Sequence, residues 1–292
     1  MVQGRRLPWQ PWATSNVLAM DILEEHLQGK WPDQLLCEDV LTVTPDFVAV
    51  VDGATDTSGL TYQLNGVEVS PGRFAALVVS QAITELPATC DARAAAEGLS
   101  IALDAALKAE RPAPPNDQRP SCSVVVLSRQ QRQVWRIGDC QTRIASEIFA
   151  ETNRVSQVAA ELRAAVLTTY LLGGATTAEL RVADPGRRAI LPLLKRENWL
   201  AHTPGPFGYA VLDGRPMRSA ELLVNDLPHT PTEVVLASDG YPDITSDLAH
   251  AEARLHLLLE TDPLCMGELL GTKALATGAA SFDDRTWIRL IL

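Results

Sequence analysis

The stretch Val40-Leu-Thr-Val-Thr-Pro-Asp-Phe-Val-Ala-Val-Val-Asp-Gly53 holds two short β-rich runs separated by Pro45-Asp46. Val, Thr and Phe favour strands, and Pro-Asp favours a tight turn. The segment therefore predicts a hairpin with strands at 40–44 and 47–51. The second run is apolar throughout instead of alternating, the pattern of a strand buried on both faces. It ends on Asp52-Gly53, which puts a carboxylate at a rigid strand end.

Similar signals recur along the chain. Cys122–Ser128 and Gln133–Ile137 flank Arg129-Gln-Gln-Arg132 as a second hairpin. Segments 142–146, 233–237 and 286–292 read as further strands. Apolar residues recur at helical spacing over 73–86 (Phe74, Leu77, Val78, Ala82, Leu86) and over 91–110 (Leu99, Ala102, Leu103, Ala106, Leu107). Asp91 fits an N-cap, and segments 155–172, ending at Gly173-Gly174, and 246–260 are further helices. Four prolines within 111–120 mark a loop. Hairpins, then two long helices, then hairpins and late strands do not make the strict alternation of a parallel sheet. They predict an α+β layered fold of antiparallel sheets packed against helices.

Composition narrows the function. The chain has 292 residues, 46% hydrophobic and 21% charged, with a net charge of −11. That balance disfavours nucleic-acid and anionic-membrane partners, which need a basic face. No apolar run reaches the ~18 residues of a membrane helix. The start, MVQGRRLPWQPW, lacks the apolar core of a secretory signal. Five cysteines without C-x-x-C spacing suggest a reducing, cytoplasmic home and small buried packing roles. His26, His202, His229, His250 and His256 show no metal-ligand spacing and read as surface or capping residues. Trp9 and Trp12 read as anchors of the N-terminus. Phosphate-binding glycine loops, H-E-x-x-H and G-x-S-x-G are all absent, so any chemistry rests on carboxylates.

Those carboxylates stand at strand ends: Glu38-Asp39, Asp52-Gly53, Gly138-Asp139, Asp239-Gly240 with Asp243, and Asp283-Asp284. Any one of them alone reads as a turn or a cap. Converging on one rim, they would repel unless cations neutralised them. Hard oxygen donors without His or Cys select Mg²⁺ or Mn²⁺. Such ions orient a water, lower its pKa and clamp a phosphoryl oxygen.

In this order, the blocks resemble those of the metal-dependent PPM-type serine/threonine phosphatases, also called type 2C. Leu36-Cys-Glu-Asp-Val40 is similar to the family's N-E-D block, and Val48-Ala-Val-Val-Asp-Gly53 to its F-x-V-x-D-G block. Ser121–Val126 with Val134–Asp139 resembles its G-S-T-A and N-x-G-D-S pair. Val234–Gly240 with Asp243, then Asp283–Thr286, resemble L-x-S-D-G-x-x-D and D-N-x-T. The resemblance implies two packed antiparallel sheets flanked by helices, forming one domain over 1–292 with a variable insert or flap at about 147–230. It implies two or three Mg²⁺ or Mn²⁺ ions. Asp52 would bridge two of them and the Gly53 carbonyl would bind one. Asp239 and Asp283 would hold the ion on the other side, Asp39 and Glu38 would act on bound waters, and Asp139 and Asp243 would hold a third, weaker ion. The bridged water would attack phosphorus in line, with Asp52, Asp39 and Asp239 as the catalytic set.

The chain departs from the family around the substrate. Gln34 stands where many members carry a phosphate-gripping arginine, and Lys30 is the nearest basic residue upstream. Ala54-Thr-Asp-Thr57 supplies no histidine as general acid, Asp284 replaces the usual Asn, and Ser-Cys-Ser replaces Gly-Ser-Thr. Arg285 reads as a phosphate contact or a partner of the acidic cluster. Segment 199–217, with Trp199, Phe207 and Tyr209, reads as a loop anchored by its aromatics or as a substrate-shaping flap. The expected function is a metal-dependent phosphomonoesterase acting on phosphoserine or phosphothreonine in a protein. A small phosphorylated metabolite as substrate, and a non-catalytic module binding a partner through the same face, are the alternatives.

Overall fold

The computed structural model describes residues 20–55, 57, 59–110, 115 and 118–292. Trp9, Trp12 and most of the proline-rich stretch 111–120 lie outside the described residues. The strands are β1 (Asp21–Gln28), β2 (Val40–Val43), β3 (Phe47–Gly53), β4 (Tyr62–Leu64), β5 (Val67–Val69), β6 (Cys122–Ser128), β7 (Gln133–Ile137), β8 (Gln141–Ile144), β9 (Glu147–Phe149), β10 (Leu223–Asp226), β11 (Glu233–Ala237) and β12 (Arg285–Ile291). The helices are α1 (Pro71–Thr84), α2 (Ala92–Glu110), α3 (Arg154–Leu172), α4 (Thr177–Val182), α5 (Pro185–Leu194) and α6 (Leu248–Thr261).

Two five-stranded antiparallel sheets form the centre, in the orders β10-β7-β6-β3-β2 and β1-β12-β11-β8-β9; β4 and β5 make a separate small hairpin. This is the expected α+β architecture of two sheets flanked by helices. The continuous apolar runs follow from it. In β3, Val48 and Val50 meet the other sheet together with Val125, Leu127, Val234, Leu236, Ile288 and Leu290. Phe47, Ala49 and Val51 point the other way, into a core with Phe74 and Val79 of α1 and Leu99 and Leu103 of α2. On the far side of the second sheet, Val235, Ala237 and Trp287 pack with Tyr241, Ile244 and Ala251 of α6. Each such Val or Leu contributes roughly 1.5–3 kcal/mol on burial.

Helix starts follow local chemistry. Ser70 caps α1 by accepting from the Arg73 N–H, with Pro71 in the first turn. Asp91 accepts from the Ala94 N–H at the start of α2, and Asn153 caps α3, which ends at Gly173-Gly174. The pattern missed β1, the β4–β5 hairpin, β9, β10 and the short helices α4 and α5. These are short or edge elements whose partners come from distant sequence, as β1 pairing with β12 shows.

One close approach fixes how α1 meets β3. A Cβ on Gly53 would lie 2.5 Å from the Gly72 carbonyl, and one on Gly72 would lie 2.4 Å from the Ala54 oxygen. Backbone cannot yield as a flexible side chain does, so both positions require glycine. Gly98, inside α2, has open space around its missing Cβ. Gly72→Ala should therefore cost at least about 2 kcal/mol through overpacking. Gly98→Ala should stabilise by about 0.5–1 kcal/mol through helix propensity. Thermal melts of the two variants should move in opposite directions from the wild type.

Candidate functional site

Antiparallel pairing brings one set of strand ends to one rim. The ends of β3, β7 and β11 lie there with the beginnings of β2, β6 and β12, as the pairs Asp52–Ser123, Val124–Ile137, Val40–Val51 and Ala237–Trp287 require. A cleft of about 380 Å³ opens on this rim. Asp52, Gly53, Asp139, Asp239 and Asp283 line it, and Ser123, Arg187, Glu197, Asn198, Tyr209, Arg218 and Lys273 line it as well.

The acidic residues divide into two groups. In the first, Lys30 Nζ lies 3.1 Å from Glu38 Oε2, 3.3 Å from Asp283 Oδ1 and 3.0 Å from Asp284 Oδ2. Lys273 Nζ lies 2.7 Å from Asp283 Oδ2. Asp284 also accepts from the backbone N–H of Lys30 and of Glu38, and Glu38 accepts from the Ser70 hydroxyl. Burial opposes ionisation of Asp283, but Lys273 and Lys30 prevail and lower its pKa. Lys30 stays charged despite its own burial because Asp283, Glu38 and Asp284 surround it.

In the second group, no lysine, arginine or histidine among the described residues forms an ion pair with Asp39, Asp52, Asp139 or Asp239. Asp39 Oδ2 accepts from Ser238 Oγ at 2.7 Å and Thr286 Oγ1 at 2.8 Å, whereas its Oδ1 is buried without a hydrogen-bond partner among the described residues. Burial, helped by the charges of Asp284 and Asp283, pushes Asp39 up to about 7 against those two hydrogen bonds. Burial and then Asp39, Asp239, Asp139 and Asp283 raise Asp52 well above the carboxylate range. Asp239 is the most open of the set, at the cleft surface. Enclosure by the floor and the charges of Asp139 and Asp283 still push it up to about 8, while a hydrogen bond with Asp52 pulls the other way. Asp139 accepts from Ser123 Oγ at 2.5 Å. Among the described residues, no three His, Cys, Asp or Glu side chains converge tightly enough to hold an ion as they stand.

Several expected site residues lie elsewhere. Asp243 accepts from the Thr245 N–H in a local turn and does not line the cleft. Gln34 is exposed and accepts from the Gly29 N–H. Arg285 pairs with Glu252 at 2.7 Å and with Gln28, so it serves neither phosphate nor the acidic cluster. Gly53 is held to glycine by its contact with Gly72. Cys37, Cys122, Cys140 and Cys265 are buried as expected, but Cys90 is only half-buried.

The flap also differs from expectation. Trp199 and Phe207 are exposed, whereas Tyr209 lines the cleft. The loop is fastened by His202, whose side chain is largely enclosed instead of superficial. Its Nδ1 lies 2.9 Å from Glu221 and its Nε2 3.2 Å from Asp213. Burial opposes charge on the imidazole, but these carboxylates raise its pKa; Asp213 itself is held down at about 2. On the cleft wall, burial pushes Glu197 up to about 7 against the pull of Arg187. Lys273, Arg187 and Glu197 lie in segments without a motif and give no sequence signal as site residues; Ser123 and Ser238 lie within the motif blocks beside Asp139 and Asp239.

No family model and no curated protein matches the chain. At low identity it does match solved PPM-type bacterial phosphatase structures over nearly its whole length. With the serine/threonine phosphatase PstP of Mycobacterium tuberculosis the match covers 94% of this chain and 99% of the other, at 16% identity and a TM-score of 0.48. For the PPM Ser-Thr phosphatase MsPP of Mycobacterium smegmatis, in complex with cacodylate, the figures are 94%, 98%, 16% and 0.45. For the serine/threonine phosphatase Stp1 of Staphylococcus aureus they are 100%, 99%, 14% and 0.46. No helix among the described residues is long and apolar enough to cross a membrane.

A carboxyl with a raised folded pKa binds its proton more tightly in the folded chain. Its contribution is present below the unfolded value near 4 and is lost as pH rises through about 7–8. In EDTA, Asp239→Asn should therefore melt higher than the wild type at pH 8 and close to it at pH 4. A difference that stays constant from pH 4 to 9 would show that the repulsion is absent.

Proposed function

We propose that the chain is a phosphomonoesterase dependent on a divalent cation, with Asp52, Asp139 and Asp239 as the residues that would hold it. One observation carries this reading: Asp52, Asp139 and Asp239 line one cleft and, among the described residues, form no ion pair, near the buried Oδ1 of Asp39, which has no partner among them either. Like charges at such spacing are costly unless protons or cations neutralise them. Oxygen-only donors suit Mg²⁺ or Mn²⁺. When bound, such an ion lowers the pKa of a water and polarises a phosphoryl oxygen.

The chain's own residues supply the rest. Ser123 orients Asp139, and the hydroxyls of Ser238 and Thr286 hold Asp39 in place behind the cleft carboxylates. Arg187 and Lys273 bring positive charge to the cleft that Gln34 does not provide. Glu197, on the cleft wall with its pKa pushed up to about 7, would give a proton to the leaving oxygen. The exposed Trp199 and Phe207, on the same loop as Tyr209, favour a phosphoserine or phosphothreonine segment of a protein over a small metabolite.

The reading of a non-catalytic binding module is favoured by the lysines on Asp283, which occupy both of its oxygens. Hydrolysis of p-nitrophenyl phosphate and of a phosphothreonine peptide separates the two. With Mg²⁺ or Mn²⁺ present, turnover is expected; EDTA should abolish it. Asp52→Asn should lower it by about 100-fold or more, since even outer partners of a metal site commonly cost 10–100-fold. Absence of turnover with either ion, in folded protein, would sink the catalytic reading.

A further inference from the structure

We infer that Lys30 and Lys273 take the electrostatic place of one divalent cation, so that the rim binds one ion fewer than its carboxylates could otherwise hold. The inference rests on the proposed cation site at Asp52, Asp139 and Asp239. It concerns the other side of the cluster, where a second ion would need Asp283.

Both oxygens of Asp283 are already occupied. Lys30 reaches Oδ1 at 3.3 Å and Lys273 reaches Oδ2 at 2.7 Å. Two ammonium groups carry the charge of one divalent ion. Neither is a surface lysine drifting over the site. The Lys30 side chain is 13% exposed and holds Glu38 and Asp284 besides Asp283, so it spans the space between three carboxylates. Lys273, 22% exposed, also donates to Thr55 Oγ1 in the segment that follows β3. A lysine on a four-carbon stem is a compact point charge with three donors, suited to bridging several carboxylate oxygens. The other side differs: among the described residues, Asp39, 2% exposed, has one carboxylate oxygen without a hydrogen-bond partner, and neither Asp52 nor Asp239 forms an ion pair. The two halves of one acidic rim are thus balanced by different means, one by built-in ammonium groups and the other left for an ion.

The test is titration with Mn²⁺ alone, followed by calorimetry, of the full chain and of Lys273→Met, Lys30→Gln and the double variant. Melts are recorded in EDTA and in Mn²⁺. Lys273 is the safer site, being partly exposed and on a loop; Lys30→Gln probes the buried position while keeping a polar group. One ion is expected in the wild type and a second in the lysine variants. The variants should melt lower than the wild type in EDTA and regain that loss in Mn²⁺, a rescue that a merely structural lysine would not permit. Two ions in the wild type, bound no more tightly in the variants, would overturn the inference and leave the phosphatase reading standing. Ions in the variants only would support the inference while removing the catalytic reading. No ion in any of the proteins would overturn both.

Discussion

Repulsion between carboxylates gathered on one rim is the constraint around which this end of the molecule is arranged. Antiparallel pairing leaves no freedom here. The pairing of β3 with β6 and of β11 with β12 sets the carboxylate-bearing ends of each sheet side by side. Two sheets packed through Val48, Val50, Leu236 and Ile288 hold them together with the weight of the core. Hydrophobic burial therefore holds charges together that would separate in water. The fold stores the repulsion, and hydroxyls, lysines and protons offset it locally.

Ser238 and Thr286 illustrate how finely this is done. Ser238 directly follows β11 and Thr286 lies on β12, both in the second sheet's layer, and each donates to the same oxygen of Asp39, which precedes β2 in the first sheet. The Ser238 hydroxyl also accepts from the Thr286 N–H. A single carboxylate thus joins the two sheets at the rim and is left with one free oxygen. Hydrogen bonds to hydroxyls stabilise the ion only in part, which is why burial still raises the pKa of Asp39. A salt bridge in its place would have removed that part of the repulsion.

Much of the fold was legible because its signals are local. The β2–β3 and β6–β7 hairpins, the strand at 233–237 and the helices α1, α2, α3 and α6 lie at or within a few residues of their expected positions. Apolar runs and caps state these elements within a few residues of chain. The carboxylates of the rim were legible because each is attached to such a strand. What escaped is long-range. Lys30 meets Asp283 across 253 positions, and Lys273 belongs to a loop without periodicity. Arg285 looks as close to the site in sequence as Asp284 does, yet strand alternation sends it to Glu252. Asp243 follows Asp239 by one turn and is drawn off by a backbone N–H of its own loop.

The flap shows the same principle from the other side of the cleft. Aromatic residues suggested an apolar anchor, but the fastening is ionic. His202, at φ 62°, sits between Asp213 and Glu221, and Arg215 and Arg218 complete the pairing. Burying such charges is costly, and removing one partner from a buried pair commonly loses about 3–5 kcal/mol. An apolar anchor of equal strength would tolerate sliding, because dispersion contacts have little direction. Directed hydrogen bonds at both imidazole nitrogens do not. They hold the loop in one register and so set Tyr209 and Arg218 on the cleft wall, opposite the carboxylates. The price of burial is thereby converted into position. Trp199 and Phe207, on the same loop, stand exposed.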